Sequence, residues 1–168
     1  GVSPKGARVH VAIAAWPWGA YLGEEGLEKG IRVKTSSYAR HHINVTMTKA
    51  KISGNYANSA LAKTESAQLG FDEAIMLDPQ GYVAECTGDN IFIIKNGQLA
   101  TPAQGRLRGI TRDVVLELAG KNKMAIFEGA ITRHEVYNAD ECFLTGTAAE
   151  IIPVVKVDGR QIGDGKPG

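Results

Sequence analysis

The sequence has few cysteines, no long apolar run and almost no net charge, and each absence excludes a class of protein. Cys86 and Cys142 lack metal-ligand spacing, so they predict buried thiols in a reducing compartment, and we expect a cytoplasmic protein. The longest apolar run, at residues 11–15, is too short to span a bilayer, and no secretory leader is recognisable. A net charge of +1 favours neither nucleic acid nor an anionic membrane as a partner.

The remaining composition is that of a soluble globular domain, with 43% apolar and 22% charged residues. A length of 168 residues is enough for one sizeable core, or for one large domain of a bigger protein. The chain begins at Gly1 rather than at methionine, which indicates a fragment or a processed product.

Hydrophobic periodicity and turn residues predict a mixture of strands and helices. Strands are predicted at 9–15, 31–35, 72–78, 82–86, 90–94, 98–99, 125–128, 141–144, 151–157 and 160–162, and helices at 55–69, 109–118 and 132–138. Asn96-Gly97 and Asp158-Gly159 are strong hairpin signals, and Gly70 is a plausible cap after the first helix. This order predicts an α/β (α+β) fold, a mixed sheet or partial barrel with helices outside it.

Two lysines stand out in the stretch from Thr48 to Tyr56. A lysine at the end of a strand that faces a cavity can lose solvation and form a Schiff base with a carbonyl cofactor. If the stretch is extended, the side chains of Lys49 and Lys51 lie on the same face. The alternative is that both lysines are ordinary solvated residues on the protein surface. The nearby Arg40-His41-His42 has no carboxylate close in sequence, so we predict no metal site.

Three other stretches suggest binding roles, and the first two also admit a structural interpretation. The aromatic cluster from Trp16 to Tyr21 is compatible with packing in the hydrophobic core. It is equally compatible with the wall of an apolar pocket that also offers a few polar groups. Thr111 at a helix start fits an ordinary cap or an anion site. The small residues from Thr145 to Ala149 allow a backbone to approach a ligand closely.

Taken together, five motifs in order give the chain a family resemblance. They are Trp16-Pro17-Trp18-Gly19-Ala20-Tyr21-Leu22-Gly23, Lys51-Ile52-Ser53-Gly54-Asn55-Tyr56, Gly81-Tyr82-Val83-Ala84-Glu85 with Gly88-Asp89-Asn90, Gly109-Ile110-Thr111-Arg112-Asp113, and Gly146-Thr147-Ala148-Ala149-Glu150-Ile151. The sequence resembles the fold-type IV, pyridoxal-phosphate-dependent aminotransferases, and within them the branched-chain amino acid aminotransferases. The match covers essentially the whole chain.

The resemblance implies a role for each matching residue. Lys51 would carry the pyridoxal 5'-phosphate, Tyr56 would bind its phenolic oxygen, and Glu85 would pair with its pyridine nitrogen. Ile110, Thr111 and Thr147 would bind the phosphate. Substrate would be held by Trp18, Tyr21, Gly146, Thr147 and Ala148.

The resemblance also implies the activity and the setting of the chain. It would transfer the amino group between leucine, isoleucine or valine and 2-oxoglutarate, with residues 1–168 as the large cofactor-binding domain of a homo-oligomer. The family's small N-terminal domain and its C-terminal helix are missing, and the 101–108 loop looks short. The alternatives are a D-amino acid aminotransferase or aminodeoxychorismate lyase of the same fold group, or a non-catalytic cofactor-binding core.

Overall fold

The computed structural model describes residues 2–17, 19 and 23–168. In this part of the chain the helices are α1 Glu24–Lys29, α2 Tyr56–Gln68, α3 Ile110–Lys121 and α4 Arg133–Tyr137. The strands are β1 Ile31–Thr35, β2 Glu73–Leu77, β3 Val83–Cys86, β4 Asn90–Lys95, β5 Gln98–Pro102, β6 Ala125–Gly129, β7 Glu141–Gly146, β8 Glu150–Val157 and β9 Arg160–Gln161.

The strands form one mixed sheet in the order β3-β2-β1-β8-β7-β4-β5-β6, with β9 paired to β8. Three pairs, β1 with β2, β1 with β8 and β5 with β6, are parallel, and the others are antiparallel. A turn of only three residues, 87–89, joins β3 at one end of this order to β4 near the other end. The sheet must therefore curl on itself, and the predicted partial barrel is correct.

Side chains alternate between the two faces of the curled sheet, as the pleat requires. On β4, Ile91 and Ile93 enter the larger apolar core, where they join α4 through Val136. Phe92 points the other way and stacks on Phe143 at 5.0 Å between ring centroids, in the cluster that α3 covers. The sheet thus has a core on both faces.

The predicted turns are present with the expected chemistry. Asn96 and Gly97 both have positive φ, as do Asp158 and Gly159, which is the backbone that a two-residue hairpin needs. Gly70, at φ 78°, ends α2 where it was predicted to do so, and the amide of Phe71 donates back to Ser66 in a Schellman cap. Within α2 Ala62 is buried, whereas Leu61 and the C-cap residue Leu69 are exposed.

The strand predicted at 9–15 is wrong. These residues have no regular secondary structure, and the side chains of Val9, Val11 and Ile13 are exposed. β-Branched residues favour a strand only where a neighbouring strand and a covering layer exist. The segment pairs with no strand of the described sheet.

None of the described helices is both long enough and apolar enough to cross a membrane.

Candidate active site

A cleft of about 1100 Å³ lies where several chain-distant segments converge. Its walls include residues 14–16, the Lys49–Tyr56 stretch, the end of β3 with its following turn, the start of α3 and the end of β7. The cleft is lined by every predicted site residue that the structure describes, namely Lys51, Tyr56, Glu85, Ile110, Thr111, Gly146, Thr147 and Ala148. Trp18 and Tyr21 lie outside the described residues.

Lys51 is held against the first residue of α2. Its Nζ atom donates to the Tyr56 hydroxyl at 3.0 Å and lies 4.8 Å from the centre of that ring. The preceding loop is fixed by Asn55, whose amide donates to the carbonyls of Met47 and Ala50. Residues 48–52 are therefore a looped approach to a helix rather than a strand, and Lys51 is exposed to the cleft rather than desolvated.

Glu85 is 3% exposed and every contact of its carboxylate comes from another segment of the chain. One oxygen pairs with Arg40, whose guanidinium is itself anchored on Ser59 at 2.9 Å. The other oxygen accepts from the Asn90 amide and from the Leu107 N–H, each at 3.1 Å. Burial raises the pKa of Glu85, while the charge of Arg40 and the Leu107 N–H oppose that rise. The result is a rigid carboxyl group that can share a proton with a basic nitrogen in the cleft.

The first turn of α3 opens into the cleft without a side-chain cap. Gly109 is the N-cap residue, and no cap side chain accepts from the first amides of the helix. Thr111 is therefore not the ordinary cap that its position also allowed. Free N–H groups at the start of a 12-residue helix form a natural anion site. A Cβ atom at Gly109 would lie 2.2 Å from the Asn90 side-chain oxygen, so a larger residue here would displace the Asn90 amide.

The end of β7 supplies small and hydroxyl residues opposite α3. Thr147 and Ala148 are exposed to the cleft, whereas Thr145 is 1% exposed and its hydroxyl has no hydrogen-bond partner among the described residues. Buried hydroxyls are normally satisfied, so this one is available to a group that enters the cleft.

A buried acidic network supports the turn between β3 and β4. Glu73, fully buried at the start of β2, accepts from the Thr87 hydroxyl at 2.6 Å and pairs with Lys63 at 2.7 Å. Asp89 in the same turn lines the cleft, and one of its oxygens has no partner within the described part of the chain. Burial and the neighbouring Glu73 carboxylate raise the pKa of Asp89 to about 7.

Sequence reasoning missed the residues that hold Glu85 in place. Arg40 was considered only beside two histidines, and its contact with Glu85 spans 45 positions. Asn90 belonged to a recognised motif but received no role. No local pattern reveals such a pair, because its two members lie 45 positions apart in the sequence.

Comparison with known proteins places this arrangement in a family. A model for the amino-transferase class IV family matches residues 1–157. The branched-chain-amino-acid aminotransferase of Pseudomonas aeruginosa is 56% identical over 169 aligned positions, which cover 100% of this chain and 55% of that protein.

Solved structures agree with the sequence comparison. A crystal structure of the Escherichia coli branched-chain amino acid aminotransferase superposes with a TM-score of 0.91 at 46% identity, over 92% of this chain and 52% of that one. The branched-chain amino acid aminotransferase of Thermobaculum terrenum, solved in its PLP form, gives a TM-score of 0.83 at 39% identity, over 90% and 50%. The chain spans about half the length of these relatives. Since the family model covers nearly all of it and the fold agrees, the chain belongs to the class IV aminotransferases.

Proposed function

We propose that this chain is the cofactor-binding part of a pyridoxal-phosphate-dependent branched-chain amino acid aminotransferase. It would exchange the amino group between L-leucine, L-isoleucine or L-valine and 2-oxoglutarate. The observation that carries the proposal is the convergence of Lys51, Glu85 and the uncapped start of α3 in one cleft. The names of the relatives support the substrate class.

The residues of the cleft fit pyridoxal phosphate group by group. The open N–H groups at Ile110 and Thr111 suit a dianionic phosphate. Glu85 suits the pyridine nitrogen, because its carboxyl group is buried and fixed by three donors. The Lys51 amine is the attachment point, and the Tyr56 hydroxyl beside it suits the phenolic oxygen.

When bound, pyridoxal phosphate supplies an electron sink for the α-carbon of the substrate. Glu85 then holds a proton at the pyridine nitrogen, which keeps that sink effective. The Lys51 amine would move a proton to and from the α-carbon of the substrate. Tyr56 keeps the Lys51 amine directed into the cleft through the 3.0 Å hydrogen bond. The 146–148 backbone would orient the substrate carboxylate.

One apolar pocket should accept all three branched-chain substrates. Valine is one methylene group smaller than the isomers leucine and isoleucine, and one methylene is worth only about 1–3 kcal/mol of discrimination. In this proposal Trp18 and Tyr21 shape that pocket, and the protein is a cytoplasmic homo-oligomer.

The decisive experiment combines cofactor binding with turnover. The protein is loaded with pyridoxal phosphate, its absorbance is recorded before and after borohydride, and the modified peptide is identified by mass spectrometry. We expect a reduced adduct on Lys51 and formation of glutamate from leucine and 2-oxoglutarate. Turnover of D-alanine without leucine would refute the substrate class. An adduct without any transamination would favour a non-catalytic binding core, and absence of an adduct would refute cofactor attachment.

A further inference from the structure

A second pocket, of about 450 Å³, lies beside the main cleft between the β5–α3 loop, α3 and β6. We call it the arginine pocket, and its charged lining consists of Lys49, Arg106, Arg108, Arg112, Asp113 and Glu128. Four cationic side chains thus face two carboxylates. Lys49 and Arg108 also line the main cleft, so the two cavities adjoin.

The two carboxylates are already engaged by Arg108 and Arg112. Asp113 accepts from Arg108 at 2.8 Å and lies 3.6 Å from Arg112. Glu128 accepts from Arg112, which is 2% exposed and also donates to the Pro102 carbonyl. The two carboxylates therefore supply two negative charges against four cations.

Arg106 is the cation of this pocket whose terminal nitrogens make no hydrogen bond to a described residue. Its side chain is only 10% exposed, and its Nε donates to the Pro102 carbonyl at 2.7 Å. Its Nη2 lies 3.7 Å from Glu128, which is beyond hydrogen-bond distance. Among the residues described, no acceptor lies within reach of its two terminal nitrogens, although a guanidinium carries five N–H donors. Burial and the charge of Arg112 lower the pKa of Arg106, as expected for a cation in surplus.

We propose that the arginine pocket binds a small oxyanion, a phosphate or carboxylate group, with the Arg106 guanidinium as its principal donor. A guanidinium presents a planar fork that matches two oxygens of such a group. The pocket is distinct from the proposed cofactor phosphate site, because it is lined by Arg112, Asp113 and Leu116 of α3 and not by Ile110 or Thr111. The proposal goes beyond the aminotransferase function and does not depend on it.

The oxyanion can be a free inorganic ion or one end of an organic diacid, and binding measurements distinguish the two. Free inorganic phosphate would bind as an isolated ion. An organic diacid would enter from the main cleft past Lys49 and Arg108 and place one carboxylate on Arg106. Calorimetric titration with inorganic phosphate and, separately, with glutarate distinguishes them, and the tighter ligand identifies the source.

The titrations use the whole chain at low chloride, with and without saturating pyridoxal phosphate, which would fill the site at α3. We expect one Arg106-dependent site in both conditions. Arg106→Gln should weaken anion binding at least about tenfold. The affinity of Arg106→Lys should lie between those of Arg106→Gln and wild type, because lysine keeps the positive charge but cannot donate to two oxygens at once as a guanidinium does. Arg133→Gln, at an exposed position on α4, should bind like wild type.

Two results would overturn the proposal. One is the absence of any binding heat for both anions at millimolar concentration. The other is equal affinity of Arg106→Gln and wild type. If Arg106→Gln does not fold, as judged by circular dichroism, the lysine variant decides: wild-type affinity in Arg106→Lys would refute Arg106 as the forked donor.

Discussion

Lys51 and Lys49 line the same cleft, and Lys51 is the one that contacts Tyr56. We therefore predict that Lys51→Ala abolishes borohydride-trapped cofactor and transamination, while Lys49→Ala retains both. Lys51→Arg should fail as well, because a guanidinium stays charged and is a poor nucleophile toward a carbonyl. Absorbance of the loaded variants, with leucine turnover beside it, tests the assignment. A coloured and active Lys51→Ala protein with an inert Lys49→Ala protein would reverse it.

Asp89 gives the folded protein a specific pH dependence. Its pKa is about 7 when folded, against about 3.9 for an aspartate in an unfolded chain. Between these values the folded state binds more protons than the unfolded one, so the free energy of unfolding falls as pH rises from about 4 to 7. The full effect is on the order of 4 kcal/mol, at about 1.36 kcal/mol per pKa unit.

Asp89→Asn should remove this dependence. We expect the variant to exceed wild type in free energy of unfolding at pH 8, with the difference shrinking toward pH 4. Urea unfolding of the cofactor-free proteins measures it, and Asp164→Asn, at an exposed position, is the control. A constant difference between variant and wild type across this range would show that Asp89 does not titrate as described.

Helix α3 and its N-cap contain two glycines whose surroundings predict opposite effects of alanine. At Gly109 a Cβ would collide with the Asn90 amide, which donates to Glu85 and to the Leu107 carbonyl. Gly109→Ala should cost about 1–3 kcal/mol of stability and weaken pyridoxal phosphate binding. At Gly120, within the helix, the space is open, and alanine should stabilise by about 0.5–1 kcal/mol with unchanged cofactor affinity. Urea unfolding and cofactor titration of both variants check the contrast.

Elements whose signals are local could be predicted from the sequence, and those that depend on distant partners could not. The Asn96-Gly97 hairpin is encoded by two residues that tolerate positive φ. The exposed 9–15 segment shows the converse, because its β-branched residues lack a pairing strand in the described fold. In the cleft, Lys51 and Tyr56 come from one contiguous motif and lie side by side. The Arg40–Glu85 pair was missed, since only the folded chain brings positions 45 apart together.

The curl of the whole sheet is what assembles the cleft. The 87–89 turn crosses from β3, which carries Glu85, to β4, which begins at Asn90. Strand β4 pairs with β7 from Asn90 to Ile94, so the end of β7 lies beside Asn90. Helix α2 is tied to this turn by the Lys63–Glu73–Thr87 contacts. Lys51, which precedes α2, is therefore positioned relative to Glu85 by the tertiary fold.

At the scale of the whole molecule, the exposed apolar side chains predict self-association. Val9, Val11 and Ile13 are each at least 87% exposed within one short segment, and contiguous exposed apolar surface is typical of interaction sites. We expect the apparent mass by light scattering to rise with protein concentration. Replacing all three residues by threonine should lower this association, whereas Val2→Thr, at an exposed valine outside that segment, should not. A monodisperse monomer at every concentration would contradict the prediction, and unchanged association of the triple variant would place the contact elsewhere.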